Sequence, residues 1–463
     1  MADALQLDAA LLNKYDTRGP RYTSYPAAPQ FRPMEEAEYR ALVQTHRANR
    51  SDPLSVYVHI PFCRTVCYYC GCNKVVTANY RRAEDYLVVL TQELALQSTL
   101  FGLRPAVDQL HLGGGTPTYL NDGDLSRLMR ALDTSLALEP GETREFSIEI
   151  DPRTTDAARI RHLAALGFNR LSIGVQDFDP EVQRAINRLQ GLDQTTEVID
   201  TARQAGFRSI NLDLIYGLPL QTQARFAETL ERVIALRPDR LAVYSYAHLP
   251  ERFKVQRQIE AADLPSSAEK LALLVMTIER LTAAGYVYIG MDHFALPDDE
   301  LAVALREGSL QRNFQGYATG AGRDLLALGV SAIGRIGPAF AQNHRSVEPW
   351  AADVSLGRIP VAQGLVLDDE DLLRGEIIQA LMCGRRLDVR DIERRYRIEF
   401  ASHFASELER LIPLADDGLV AVDAESIEVS ARGRLLLRPI AMAFDAYLHA
   451  RHKTTEPRYS RVI

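Results

Sequence analysis

At 463 residues the chain is too long for one ordinary hydrophobic core, which favours a large α/β unit with a smaller satellite. Its composition, 46% apolar and 25% charged, excludes a fibrous or disordered class, and no apolar run approaches the roughly 20 residues that cross a bilayer. A net charge of −8 excludes a general nucleic-acid surface, so an anionic ligand needs a local basic pocket.

In chain order, the first stretch from Met1 to Leu12 is broken by Asp3 and Asp8, so neither a signal peptide nor a membrane segment is expected. The run Arg21-Tyr22-Thr23-Ser24-Tyr25-Pro26 is aromatic and hydroxyl-rich. Residues 1–50 are therefore read as an N-terminal arm covering the active site. Four of the five cysteines crowd between Cys63 and Cys72, which is no disulfide framework and favours a reducing, cytoplasmic compartment.

From about residue 54 to 295, β-branched apolar runs alternate with longer amphipathic stretches, the pattern of repeated βα units. Strands are predicted at 54–60, 107–112, 145–150, 170–175, 209–215 and 241–246, with a further one at 287–290; helices at 82–98 and 224–235 should pack outside. Each of the first six strands runs into a polar or glycine-rich string: Pro61-Phe62-Cys63, Gly113-Gly114-Gly115-Thr116-Pro117, Asp151-Pro152, Gln176-Asp177-Phe178, Tyr216-Gly217-Leu218-Pro219 and Ala247-His248-Leu249-Pro250. In a parallel barrel the strand C-termini share one face, and six such strings converge on one mouth. His59, His111 and His293 read as satisfied core histidines.

The string Cys63-Arg-Thr-Val-Cys67-Tyr-Tyr-Cys70-Gly-Cys72 carries the chemistry. A C-x3-C-x2-C spacing lets three thiolates bind three irons of one 4Fe-4S cube, leaving the fourth iron without a protein ligand. That iron can chelate the amino and carboxylate groups of S-adenosylmethionine beside a reducing cluster. A zinc site of four cysteines is the competing reading, although zinc usually takes two separated C-x2-C pairs. Cys383, in an apolar stretch, reads as a core residue.

From about Asp368 short helices give way to a hairpin at 420–422 and 427–429 and a last helix near 435–448, an order that resembles a winged helix. The helix before the hairpin carries Glu407 and Glu409 and runs into Asp416-Asp417, a charge that DNA phosphate would repel, so a docking or lid role is expected.

These features resemble the radical S-adenosylmethionine enzymes, including Tyr69 before the third cysteine and the glycine motif at 113–117. The resemblance narrows to the oxygen-independent coproporphyrinogen III oxidase family through Tyr57-Val58-His59-Ile60-Pro61-Phe62-Cys63, Cys70-Gly71-Cys72-Asn73-Lys74, Gly174-Val175-Gln176-Asp177-Phe178 and Asp213-Leu214-Ile215-Tyr216-Gly217-Leu218-Pro219. Gly290-Met291-Asp292-His293-Phe294-Ala295, Asn313-Phe314-Gln315-Gly316-Tyr317 and the terminal Tyr459-Ser460-Arg461-Val462-Ile463 extend it over nearly the whole chain, with no departure from the family's motifs.

The resemblance implies an α/β fold: a partial (βα)6 TIM-like barrel of the radical SAM type at 51–365 and a small winged-helix-like α+β domain at 366–463. It implies oxidative decarboxylation of the ring A and B propionates of coproporphyrinogen III to the vinyls of protoporphyrinogen IX, by a 5′-deoxyadenosyl radical. A propionate β-carbon has no acidic proton, so hydrogen-atom removal is the workable chemistry. Cys63, Cys67 and Cys70 would hold the 4Fe-4S cluster. Tyr57, Tyr69, Gly114, Gly115, Thr116, Glu149, Gln176, Arg188, Asp213, Ala247 and Ile333 would line the S-adenosylmethionine site, with Arg188 toward its carboxylate, Glu149 near its amino or sulfonium charge and Asp213 toward a ribose hydroxyl. Cys72 stands outside the triad and is expected to serve turnover. Phe314 and Gln315 are expected near the active site, around a second cofactor molecule. A monomer with a separate electron donor and acceptor is expected, and no nucleic-acid partner. The rival reading is a related haem chaperone, a type that lacks both the extra cysteine and the arm.

Overall fold

The computed structural model describes residues 9–48, 50–141, 143–320, 322–449 and 459. Residues 1–8 of the arm and 460–463 of the terminal motif lie outside the described residues.

Six strands form the centre: β1 (Leu54–Ile60), β2 (Ala106–Gly114), β3 (Glu145–Ile150), β4 (Arg170–Gln176), β5 (Ser209–Tyr216) and β6 (Arg240–Ser245). They pair in chain order and every pair is parallel. Each is followed by a helix: α1 (Arg81–Ser98), α2 (Asp122–Ser135), α3 (Ala157–Ala165), α4 (Leu192–Gln204), α5 (Gln223–Leu236) and α6 (Ser267–Ala283). The helices begin where the sequence supplies a side-chain cap: Asn121, Asp156 and Thr222 accept from the first turns of α2, α3 and α5, and Ser266 forms a capping box with Glu269 at α6.

The strand period decides what faces the barrel interior. Along β3, Phe146, Ile148 and Ile150 are buried among the helices, while Glu145, Ser147 and Glu149 line the interior. β5 repeats this with Leu212 and Leu214 outward and Asn211 and Asp213 inward. Many closed barrels fill their centre with branched apolar residues. Here the centre is polar and holds a cavity of about 180 Å³.

The sheet does not close on itself. Beyond β6 it continues antiparallel through a hairpin of β7 (Val287–Gly290) and β8 (His293–Ala295), with β8 against β6. The strand predicted at 287–290 is thus present, as an extension of the sheet and not as a further βα unit. On the other side β9 (Leu325–Leu328) runs parallel to β1 and leads into β10 (Ile333–Ile336), β11 (Ala339–Asn343) and β12 (Val361–Val366), all antiparallel. Sequence reading missed this edge because its strands are short and carry Gly334 and Gly364.

At the C-terminus, Asp369–Met382, Val389–Tyr396 and Ala405–Asp416 are helices. The hairpin Val420–Val422 with Ser426–Val429 gains a third strand, Leu387–Asp388. The single last helix expected near 435–448 is instead the turn Gly433–Leu436 and two short helices, Leu437–Met442 and Ala446–His449. Asp445 interrupts it: its carboxylate accepts the Leu448 N–H at 3.0 Å and starts a new turn. Glu407 is not part of an acidic outer face either, since it is buried in an ion pair with Arg374 at 2.9 Å. Leu11, Leu12, Tyr22 and Tyr25 of the arm share one apolar cluster with these C-terminal elements. Cys383 is buried, as expected for a core residue.

Candidate active site

The cysteine loop leaves β1 through Pro61 and is closed by the parallel pair Phe62–Cys63 and Val75–Val76. β2 holds it from beside: Gly115 N–H donates to Ile60 O and Thr116 N–H to Phe62 O, both at 2.9 Å. A Cβ on Gly115 would lie 2.6 Å from Pro61 O, so only glycine lets these backbones approach. Gly114, at φ +118°, donates its N–H to Glu149 Oε2 at 3.0 Å, and a Cβ there would meet the His59 ring. Further along, Asn187 Nδ2 donates to Val66 O, Tyr68 N–H to Ile186 O, and Lys74 Nζ to Cys70 O.

A cavity of about 520 Å³ lies above the strand ends. Twelve of the fifteen residues expected in the site line it: Cys63, Cys67, Cys70, Cys72, Tyr69, Gly114, Gly115, Thr116, Glu149, Gln176, Arg188 and Asp213. Three do not. Tyr57 is inside the barrel wall, its hydroxyl 2.9 Å from His59 Nδ1 and its ring stacked on His111. Ala247 lines a neighbouring cavity, although its carbonyl shares the Gln256 amide with that of Tyr69. Ile333 sits in β10 opposite Gln342. Of the other two residues expected nearby, Gln315 lines the barrel-interior cavity, and Phe314 packs edge-on against Phe340.

Each thiol has its own surroundings. Burial pushes Cys63 up to about 11, against a contact with Thr116 Oγ1 at 3.7 Å. A hydrogen bond from the Cys72 thiol, aided by the Lys74 ammonium, outweighs burial and lowers Cys70 to about 6. Cys72 itself is raised, first by that same hydrogen bond. Cys67 faces two guanidinium groups, Arg188 Nη1 at 3.5 Å and Arg153 Nη2 at 3.7 Å. Asp151 joins them, accepting from Arg188 at 3.1 Å and from Arg153 through both oxygens. Asp151 was read only as part of a loop string and Arg153 not at all; an Asp-Pro-Arg turn at a strand end, which aims both charges back at the cysteine loop, was the available signal.

The carboxylates differ. Burial opposes charge on Glu149, but hydrogen bonds from His111 and the Gly114 N–H outweigh it and leave the group below its ordinary range. Burial, reinforced by the Glu149 charge, pushes Asp213 up to about 7 despite hydrogen bonds from Ser172 and Asn211. His111 is satisfied at both ring nitrogens, as expected, and in being so it joins Ser147 to Glu149. His59 is satisfied by Tyr57 and Asn73 O, whereas His293 Nδ1 is buried without a hydrogen-bond partner.

Among the described residues no three His, Cys, Asp or Glu side chains meet closely enough to hold a single metal ion. Cys63, Cys67 and Cys70 all line the one cavity, and a 4Fe-4S cube would take each thiolate on a different iron. Arg188 Nε, buried and without a hydrogen-bond partner, adds an unmet donor beside this cavity.

A model of the radical SAM superfamily matches residues 57–233, and the HemN C-terminal domain matches residues 367–436. The oxygen-independent coproporphyrinogen III oxidase of Pseudomonas aeruginosa is 49% identical over 467 residues, covering 100% of both chains. The chain belongs to the oxygen-independent coproporphyrinogen III oxidase family. The family's Escherichia coli K12 member is 50% identical over 456 residues, covering 98% of each chain. The solved structure of the Escherichia coli coproporphyrinogen III oxidase (HemN), described as a radical SAM enzyme, superposes with a TM-score of 0.91 at 48% identity, covering 96% of this chain and 100% of that one.

Proposed function

We propose that this protein decarboxylates the ring A and B propionates of coproporphyrinogen III oxidatively, without oxygen, to give protoporphyrinogen IX. The reading is carried by one observation: three cysteines share a single cavity with polar and glycine residues from the ends of β2 to β5, in a chain that matches this family over its full length, while the strings after β5 and β6 give Tyr216 and Ala247 to the neighbouring cavity. When bound, a 4Fe-4S cluster and S-adenosylmethionine supply a hydrogen-abstracting 5′-deoxyadenosyl radical by reductive carbon–sulfur cleavage.

The chain's own residues then have separate duties. Cys63, Cys67 and Cys70 hold the cluster. Arg153 and Asp151 fix the Cys67 side, and Arg188, already anchored on Gly174 O at 2.6 Å, presents its charge to a carboxylate. Glu149, kept ionised by His111 and Gly114, faces a positive group, while Asp213 accepts from a hydroxyl. Tyr69 walls the cavity. Gln176 holds φ +67° beside a bulge in β4, and the side chain is thereby turned into the cavity. Cys72 serves turnover from outside the triad.

The relatives that share the whole length are named oxidases, which favours this reading over a haem chaperone. Among the described residues no helix is long and apolar enough to cross a membrane. The proposal extends to a cytoplasmic monomer that takes electrons from a separate donor, divided into an arm at 1–50, a barrel at 51–365 and a C-terminal unit at 366–463.

Anaerobically reconstituted protein given S-adenosylmethionine, a reductant and coproporphyrinogen III is expected to release CO2 and 5′-deoxyadenosine together. Tight haem binding with no CO2 release would overturn the oxidase reading. Cys70→Ser is expected to lose the cluster, whereas Cys72→Ser keeps its iron and turns over slowly; equal iron loss in both contradicts the division of duties.

A further inference from the structure

A second cavity, of about 300 Å³, opens beside the cofactor cavity. The arm contributes Arg18 and Arg21 to its wall, α6 contributes Lys270, and the helix Leu437–Met442 contributes Arg438. Against these four cations stands one carboxylate, Asp292. This is a concentrated positive lining in a chain whose net charge is −8. The rest of the wall is largely apolar, with Leu274 of α6 facing Leu435 of the C-terminal turn region.

The ends of β5 and β6 line both cavities. Ile215 and Tyr244, on β5 and β6, line the cofactor cavity, and the next residues, Tyr216 and Ser245, line this one. Arg21 lies over the Tyr244 ring, 5.9 Å from its centroid, and pairs with Asp292. Lys270 is held at the wall by donating to Tyr246 O at 2.8 Å. Arg438 is buried and braced on Pro20 O at 3.1 Å, and burial together with the nearby Arg21 charge lowers it to about 10. Like charges crowded in a partly apolar wall are relieved by an anion.

The proposed substrate carries four carboxylates on an apolar macrocycle, and an acidic protein repels it except where a basic site receives it. Resting on the function proposed above, we propose that this cavity binds propionate carboxylates of the tetrapyrrole, with Arg21 and Lys270 as the anion-binding groups. The macrocycle then lies on the apolar wall, and the side chain to be oxidised reaches past Tyr244 toward the cofactor cavity.

The test uses the reconstituted holoenzyme with Arg21→Gln, Arg21→Lys and Lys270→Met. Each charge-removing variant is expected to raise KM for coproporphyrinogen III about tenfold, the effect of one lost charge-assisted hydrogen bond. S-adenosylmethionine affinity should stay at the wild-type value, and Arg21→Lys should recover most of the loss. A fluorescence titration with coproporphyrin III, the oxidised unreactive form, is expected to show the same weakening, and its tetramethyl ester should bind the wild type no better than the free acid binds the variants. The two charge-removing variants lie on different elements, so a folding defect in one leaves the other to decide. Wild-type KM and wild-type coproporphyrin affinity in folded Lys270→Met or Arg21→Gln would overturn the site. A wild-type enzyme that releases no CO2 from coproporphyrinogen overturns the functional reading instead.

Discussion

Asp213 and Glu149 meet in the barrel interior as unequal carboxylates. Glu149 has a histidine and a backbone N–H to hold its charge; for Asp213, burial and the repulsion of Glu149 outweigh the neutral donors Ser172 and Asn211 and the Arg188 charge, and raise it to about 7. A carboxyl raised above its ordinary 3.8 favours folding fully below that value, and the contribution is lost as pH rises through about 7. Asp213→Asn, which cannot ionise, is therefore expected to gain stability relative to the wild type on going from about pH 5 to about pH 8. Thermal melts of the cofactor-free proteins at both pH values check this; a constant difference between them would show that Asp213 does not titrate in this window. The sequence made both residues visible as polar side chains at strand positions, but their division of charge depends on His111 from β2 and Ser172 from β4, which only the folded barrel brings alongside.

At the scale of elements, the strand-end strings were legible because a βα unit needs a helix cap or a turn where its strand stops, and such residues stand out against β-branched runs. The six barrel strands were located to within two residues. The edge β9 to β12 was not, because pairing with a neighbour and not local propensity makes a strand of Ile333–Ile336 with a glycine at its centre. The glycine motif also does more than its resemblance implied: Gly115 is where β2 and the start of the cysteine loop touch. In Gly115→Ala the new methyl group would sit 2.6 Å from Pro61 O and 2.8 Å from Phe62 O, both backbone atoms that cannot swing aside. The strand ending and Cys63 must then shift together. Reconstituted iron per chain is expected to fall to less than about half of wild type while the far-UV circular dichroism is retained, because a misplacement of about 1 Å is enough to spoil such a site. Full iron loading would show that the loop tolerates the displacement.

Across the whole molecule, the arm joins the barrel to the C-terminal elements. Tyr22 donates to Asp445 at 2.9 Å in a buried contact, Arg438 reaches the carbonyls of Gly19 and Pro20, and the Tyr25 hydroxyl accepts the Ala446 N–H at 3.2 Å. Tyr22→Phe leaves the Asp445 carboxylate buried with one donor fewer, at an expected cost of about 1–3 kcal/mol in denaturant unfolding. A midpoint equal to wild type would mean that the arm's apolar packing alone holds it. Periodicity, strand-end residues and thiolate spacing are local properties that survive without a fold, and they made the parallel barrel and the cysteine triad legible in the sequence; the residues that line the cavity at the strand ends were named through the family resemblance. The tertiary structure decided the rest. It broke the last helix at Asp445, turned Glu407 inward onto Arg374, and set two arginines beside Cys67. It also gathered cations from three distant segments into one basic cavity, since charge neighbourhoods depend on which segments pack together and not on their order along the chain.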